Sequence, residues 1–385
     1  MTGRAPAGGE SQGWTPRRRE PCSSVDAPLL QSRMGATNGR DAPALLVVRL
    51  ISGARVGAGT RSGRESESSA YAVRLRDASW HATVRGMPLH YSEKLPELAG
   101  VEHHYLRTPR DLRIHVAVAG PSDGNPILLV HGFPQHWWEW HRLIGPLAAD
   151  GYRVLVPDLR GAGWSDAPRG RYFKADMADD LLAVLDELGA ERVWIAAHDW
   201  GGLAGFILLL RHPERAAGFA GFNTVAPWLK LDGPNVRHLW AFFYQYPLLS
   251  PVIGPRLIGS SEQRYLRWLG RWVGGGYEWP KEDAQIYLSR MRDPARAYAG
   301  SQWYRTFQTR EFLSWIRGEY ADTRVEVPLR WVTGLKDPVI TPTMHHGYEN
   351  YASDITFEHV ADVGHWIVEQ AHDLVLERLR SFLTE

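Results

Sequence analysis

The chain has 385 residues, 44% of them hydrophobic and 23% charged, as in an ordinary globular protein. Its formal net charge of +1 gives no reason to expect a nucleic-acid binder or a polybasic membrane anchor. One cysteine, Cys22, excludes an intramolecular disulfide and a multi-cysteine metal site, and no apolar run approaches the roughly 18–20 residues that span a bilayer. A cytoplasmic protein without stable membrane insertion is expected.

The charge is uneven. Residues 1–86 hold 13 Arg, no Lys and 7 acidic residues, a net of +6, and the remainder nets −5. The first region is rich in Gly, Ser, Ala and Arg, with no sustained apolar period. Such a segment buries too little apolar surface to offset the entropy of ordering. Residues 1–96 therefore read as a disordered basic extension. Its apolar stretch Ala44 to Ile51 is broken by Arg49 and lies too far in for a signal peptide. A basic arm for acidic partners is the other reading, and Met87 is a candidate later start.

From residue 97 the pattern changes. Leu112–Val118 alternates and ends at Gly120, as a strand does. Pro126–Val130, Tyr152–Pro157, Arg192–Ala197 and Ala216–Asn223 read as further strands, mostly short apolar runs of the buried kind. Helices are expected over Arg142–Ala149, Met177–Leu188 and Trp200–Arg211. Strands alternating with helices predict an α/β fold, a mostly parallel sheet with helices on both faces.

Residues 97–226 thus form the first part of a core. Residues 227–326 are dense in Trp, Tyr, Phe and Arg and read as an inserted helical cap. Residues 327–385 resume the core, with strands over Pro328–Gly334 and Thr356–Val360. Helices are expected over Thr341–Tyr351 and Val368–Leu383.

The chemistry sits at strand ends. In Ile195-Ala-Ala-His-Asp-Trp-Gly-Gly202 a strand runs straight into a helix, with small residues two before and two after Asp199. A nucleophile elbow needs this, because larger side chains there would clash in the tight turn. Asp199 stands where the usual elbow has Ser, which disfavours a serine esterase. Alone, Asp199 could be a simple N-cap. Asp337, just past a strand in Leu335-Lys-Asp337-Pro338, and His365 in Gly364-His365-Trp366 complete the order nucleophile, acid, histidine. His131-Gly-Phe-Pro134 follows an earlier strand. The N–H groups of Phe133 and Trp200 could form an oxyanion hole.

These residues, with Asp158-Leu-Arg-Gly-Ala-Gly-Trp-Ser-Asp166 and His198-Asp-Trp-Gly-Gly202, resemble the epoxide hydrolases of the α/β-hydrolase superfamily. The resemblance covers roughly 100–385. It implies that Asp199 is the nucleophile and that His365, oriented by Asp337, activates water. It also implies two cap tyrosines that bind the epoxide oxygen. Phe243-Tyr244-Gln245 and Gln302-Trp303-Tyr304-Arg305 are similar to the segments that carry them. Tyr304 fits its context well, whereas Tyr244 competes with Tyr246.

An ionised carboxylate can open an epoxide directly, with no base to deprotonate it. Phenols can protonate the leaving alkoxide. Substrate-binding roles fall to Trp200 and Phe133, and the ligand expected is a small, apolar epoxide together with water. No metal and no organic cofactor enter the scheme. A haloalkane or haloacid dehalogenase would share Asp199 but needs a second halide donor, which the Phe133 side chain lacks. Fluoroacetate-type enzymes usually place Arg where this chain has Trp200. A non-catalytic binding protein of the same fold would show a degraded triad, and no member is missing here. The oligomeric state is not readable.

Overall fold

The computed structural model describes residues 94–228, 230 and 232–385. The basic leader, Cys22 and Met87 fall outside the described residues, apart from 94–96 at the leader's expected end.

Eight strands form one sheet: β1 Val101–Arg107, β2 Arg113–Ala119, β3 Asn125–Val130, β4 Tyr152–Pro157, β5 Val193–His198, β6 Ala216–Phe222, β7 Leu329–Gly334 and β8 Ile355–Val360. Their spatial order is β1-β2-β4-β3-β5-β6-β7-β8. β1 and β2 pair antiparallel, as do β2 and β4; all other pairs are parallel.

The apolar runs show why these strands are central. Ile127 and Leu129 of β3 pack on one face with Trp140, Leu143 and Leu379. Leu128 and Val130 pack on the other with Leu181, Phe206 and Ile207. A strand covered on both faces has no solvent side for polar residues, so the run is continuous rather than alternating. Helices His141–Ala149 and His372–Phe382 cover the first face, and Lys174–Glu187 and Asp199–Arg211 the second.

The expected strands are found with ends shifted by a residue, and β1 is an addition. Its partly exposed Val-Glu-His-His-Tyr-Leu-Arg carries no continuous apolar run because it lies at the sheet edge. Two expected helices are corrected. Thr341–Tyr351 is not one helix but two short 3-10 turns, Pro342–His345 and Tyr348–Asn350. Gly347, at φ +87°, separates them in a conformation that no helix contains. The last helix breaks at Ala371, leaving Ile367–Gln370 and His372–Phe382.

Between β6 and β7 the chain leaves the sheet for a series of helices from Gly233 to Ile316. The longest is Pro294–Thr306, followed by a π-helical turn at Phe307–Glu311. Polar contacts dock the longest of these helices on the rest of the chain. The Tyr172 N–H donates to Thr306 Oγ1 at 3.0 Å, the Lys174 ammonium to the Trp303 carbonyl at 3.0 Å, and the Trp303 indole to the Arg160 carbonyl at 3.2 Å.

Candidate active site

The carboxyl ends of the adjacent parallel strands β3, β5, β6, β7 and β8 lie side by side. In such sheets ligands bind beyond those ends. The loops there carry Phe133, Asp199, Asn223, Asp337 and His365.

Asp199 is the first residue of its helix, and its φ of +49° lies in the left-handed region. Asp tolerates that region better than most residues, and isolated strain there commonly marks a functional turn. The turn also requires small neighbours. A Cβ on Gly201 would lie 2.3 Å from the His131 carbonyl oxygen, and one on Gly132 2.5 Å from the Asp199 Cβ. The Thr224 hydroxyl donates to the Asp199 carbonyl at 2.7 Å and steadies the elbow.

The Asp199 carboxylate is held from two sides. The Phe133 N–H donates to Oδ1 at 2.8 Å, and Oδ2 lies 3.4 Å from His365 Nε2. Burial alone would raise its pKa. The hydrogen bond and charge of His365 outweigh burial, and the carboxylate is held below its usual range. The Trp200 N–H lies in the first helical turn, where N–H groups lack intrahelical partners.

His365 Nδ1 is 2.6 Å from Asp337 Oδ2. That oxygen also accepts from the Asn223 amide at 2.7 Å. Asp337 Oδ1 accepts from the N–H groups of Val339 and Ile340, at 2.7 and 3.1 Å. Desolvation of the buried His365 ring would lower its pKa. Asp337 and Asp199 together overcome this and push it up to about 10.

Above the carboxylate stand two buried tyrosines. Tyr304 packs edge-on to Phe133, Trp200 and Tyr244, with ring centres 5.3, 5.1 and 6.1 Å away. Tyr244 is 7% exposed and Tyr246 is 62% exposed, so only Tyr244 reaches this cluster. The Gln245 amide donates to the Tyr244 hydroxyl at 3.1 Å. Burial, and then the charge of Asp199, pushes the Tyr244 phenol well above its usual pKa. Burial does the same to Tyr304, with Tyr244 and Asp199 adding to it. The structure thus brings together all seven expected positions, Asp199, Asp337, His365, Tyr244, Tyr304, Phe133 and Trp200.

Several neighbours had no role assigned in the sequence reading. Glu139 Oε2 accepts from the Gly132 N–H at 2.9 Å, while Oε1 lies 2.7 Å from His198 Nδ1. His198 Nε2 in turn lies 2.8 Å from the His365 carbonyl oxygen. This chain of contacts joins three loops of the site. Asn223 and Lys174 were also missed; the Lys174 ammonium sits 4.4 Å from the Trp200 ring centre. Glu139, set between tryptophans, and His198, just before Asp199, offered a signal. Asn223 and Lys174 offered none. Asp158 has a structural part. It is fully buried and accepts from the N–H groups of Trp137 and Trp164, both at 2.8 Å. Among the described residues there is no cluster of three or more potential metal ligands, and no helix is long and apolar enough to cross a membrane.

Several known proteins are similar to this chain. Epoxide hydrolase A of Mycobacterium tuberculosis is 28% identical over 312 residues, covering 71% of this chain and 94% of its own. Bifunctional epoxide hydrolase 2 of Sus scrofa is 27% identical over 321 residues. That match covers 74% of this chain but only 56% of the pig protein. The solved structure of a candidate epoxide hydrolase from Pseudomonas aeruginosa is 30% identical with a TM-score of 0.66, covering 76% of this chain and 98% of that one. The family model for the alpha/beta hydrolase fold matches residues 125–371, well over half of the sequence. The chain belongs to the α/β-hydrolase fold family.

Proposed function

We propose that the chain hydrolyses an epoxide to a vicinal diol through a covalent ester on Asp199. One observation carries this reading. A carboxylate at a nucleophile elbow faces a histidine–aspartate pair on one side and two buried phenols on the other. The relatives named as epoxide hydrolases agree with it.

In the first step Asp199 Oδ2 attacks a ring carbon. The C–O bond to that carbon breaks, and the alkoxide takes a proton from Tyr244 or Tyr304. Both phenols are held protonated in the free enzyme by burial and by the Asp199 charge. Ester formation removes that charge, so the phenols become stronger acids as the alkoxide develops.

The same change releases His365. In the free enzyme its raised pKa keeps it protonated between two carboxylates. Esterification of Asp199 removes one of them, so the ring gives up its proton, which returns to the tyrosinate, and His365 becomes neutral. Neutral His365 then takes a proton from water, and the hydroxide adds to the ester carbonyl carbon. The oxyanion forms on Asp199 Oδ1, already bonded to the Phe133 N–H, with the Trp200 N–H as second donor. Collapse breaks the ester C–O bond, and the departing alkoxide takes the proton of the added hydroxyl, which frees the diol and restores the Asp199 carboxylate. Each oxyanion donor of this kind typically contributes on the order of 10²–10³ in rate.

The aromatic rings of Phe133, Trp200, Tyr244 and Tyr304 clustered at the carboxylate favour an apolar substrate. Halide release is disfavoured because Phe133 contributes a ring, and no side-chain N–H, beside Trp200. The test is a panel of epoxides and haloalkanes scored for diol against halide. Asp199→Ala should lose diol formation by a factor on the order of 10⁴ or more. Undiminished turnover by a folded Asp199→Ala variant contradicts the reading, as does halide as the main product of the parent protein.

A further inference from the structure

A cavity of about 510 Å³ lies at the seam of cap and core, lined by Arg171, Gln302, Arg305, Thr306, Thr309 and Arg310. It contains none of the residues assigned above. None of the six side chains is acidic. Among the described residues, no carboxylate forms an ion pair with any of the three arginines. Arg305 donates once, to the Leu249 carbonyl at 2.8 Å.

The floor is built rather than incidental. Gln302 is only 7% exposed and Thr306 2%. Among the described residues the Gln302 amide has no hydrogen-bond partner, and Gln302 lines this cavity. Thr306 Oγ1 is fixed by the Tyr172 N–H, and the Thr309 hydroxyl donates to the Arg305 carbonyl at 2.7 Å.

Three guanidinium groups sharing one concavity repel one another and focus a positive potential there. The planar fork of arginine matches oxyanions, carboxylate and phosphate above all. Three positive charges favour a ligand with more than one negative charge, which selects phosphate over a monocarboxylate. A volume of this size lies within the range of small-molecule sites and exceeds the need of a single ion.

We propose that this cavity binds the phosphoryl group of a small molecule. Free phosphate and a phosphate monoester share that chemistry. Arg171 belongs to the core loop before helix Lys174–Glu187, whereas Gln302, Arg305 and Arg310 belong to the cap. A bound phosphoryl group therefore ties cap to core beside the Tyr172–Thr306 contact. The helix that gains this tie is the one that carries Tyr304.

The test uses the full chain. Thermal unfolding and titration calorimetry are run with inorganic phosphate, glycerol 3-phosphate and acetate at one ionic strength set by chloride. Phosphate stabilises many proteins through exclusion from their surfaces, so saturation and the variants decide the matter. A saturable rise in Tm is expected with either phosphate probe, and little with acetate. The tighter of the two probes identifies the source, free ion or monoester. Binding should weaken at least tenfold in R305Q/R310Q. R171Q, altered at an exposed loop residue, gives the same reading if the double variant fails to fold. The proposal is overturned by a rise that does not saturate, or by one equal in parent and variants.

Discussion

Asp199 Oδ2 stands 3.4 Å from His365 Nε2, while Asp199 Oδ1 is held by the Phe133 N–H at 2.8 Å. The two oxygens of one carboxylate are thereby given different neighbours. One faces the group that would activate water. The other already rests on the N–H that would serve as oxyanion donor.

His365→Gln should separate the two proposed steps. Glutamine keeps a donor for Asp337 but cannot accept a proton from water. Epoxide addition should then yield a protein heavier by the mass of one substrate molecule, seen by intact-mass analysis. A folded variant that consumes epoxide without an adduct would argue against the ester.

The two cap tyrosines should behave unlike their neighbour. Tyr244→Phe and Tyr304→Phe each remove a proton donor, and each should lower kcat by about tenfold or more, with the double variant lower still. Tyr246→Phe alters an exposed residue and should leave kcat unchanged. Equal losses at 244 and 246 would contradict the assignment.

Stability should fall on the alkaline side. His365 has a folded pKa of about 10 against an ordinary value of 6.5, so the folded state binds its proton more tightly. The stabilisation this brings is fully present below pH 6.5 and is lost as pH climbs towards about 10. Denaturant unfolding at pH 6, 8 and 10 should show the decline. His365→Gln should flatten it. A parent protein equally stable at all three values would contradict the ion-pair arrangement.

Much of the site was legible because its residues sit at strand ends with local signatures. The small residues around Asp199 and the apolar runs before Asp199 and His131 needed no long-range information. The first cap tyrosine was legible only as a choice between 244 and 246, because sequence does not reveal which of two tyrosines at the junction of a 3-10 turn and a helix points inward. Asn223 is silent in sequence, since its partner Asp337 lies 114 residues away. Lys174 is equally silent. Its partners Trp303 and Glu311 come from the cap, and a lysine in an amphipathic helix ordinarily reads as surface. The broken helices near Gly347 and Ala371 show the limit of apolar periodicity, which says nothing of local backbone angles.

The central claim is that the new oxygen of the diol comes from Asp199, and that water attacks only the ester. A single turnover in ¹⁸O-labelled water, with enzyme in excess over epoxide, tests this most directly. The account predicts unlabelled diol from that turnover and one ¹⁸O atom in the peptide containing Asp199. Labelled diol with unlabelled Asp199 would mean that water opens the ring directly, and the covalent mechanism would be wrong.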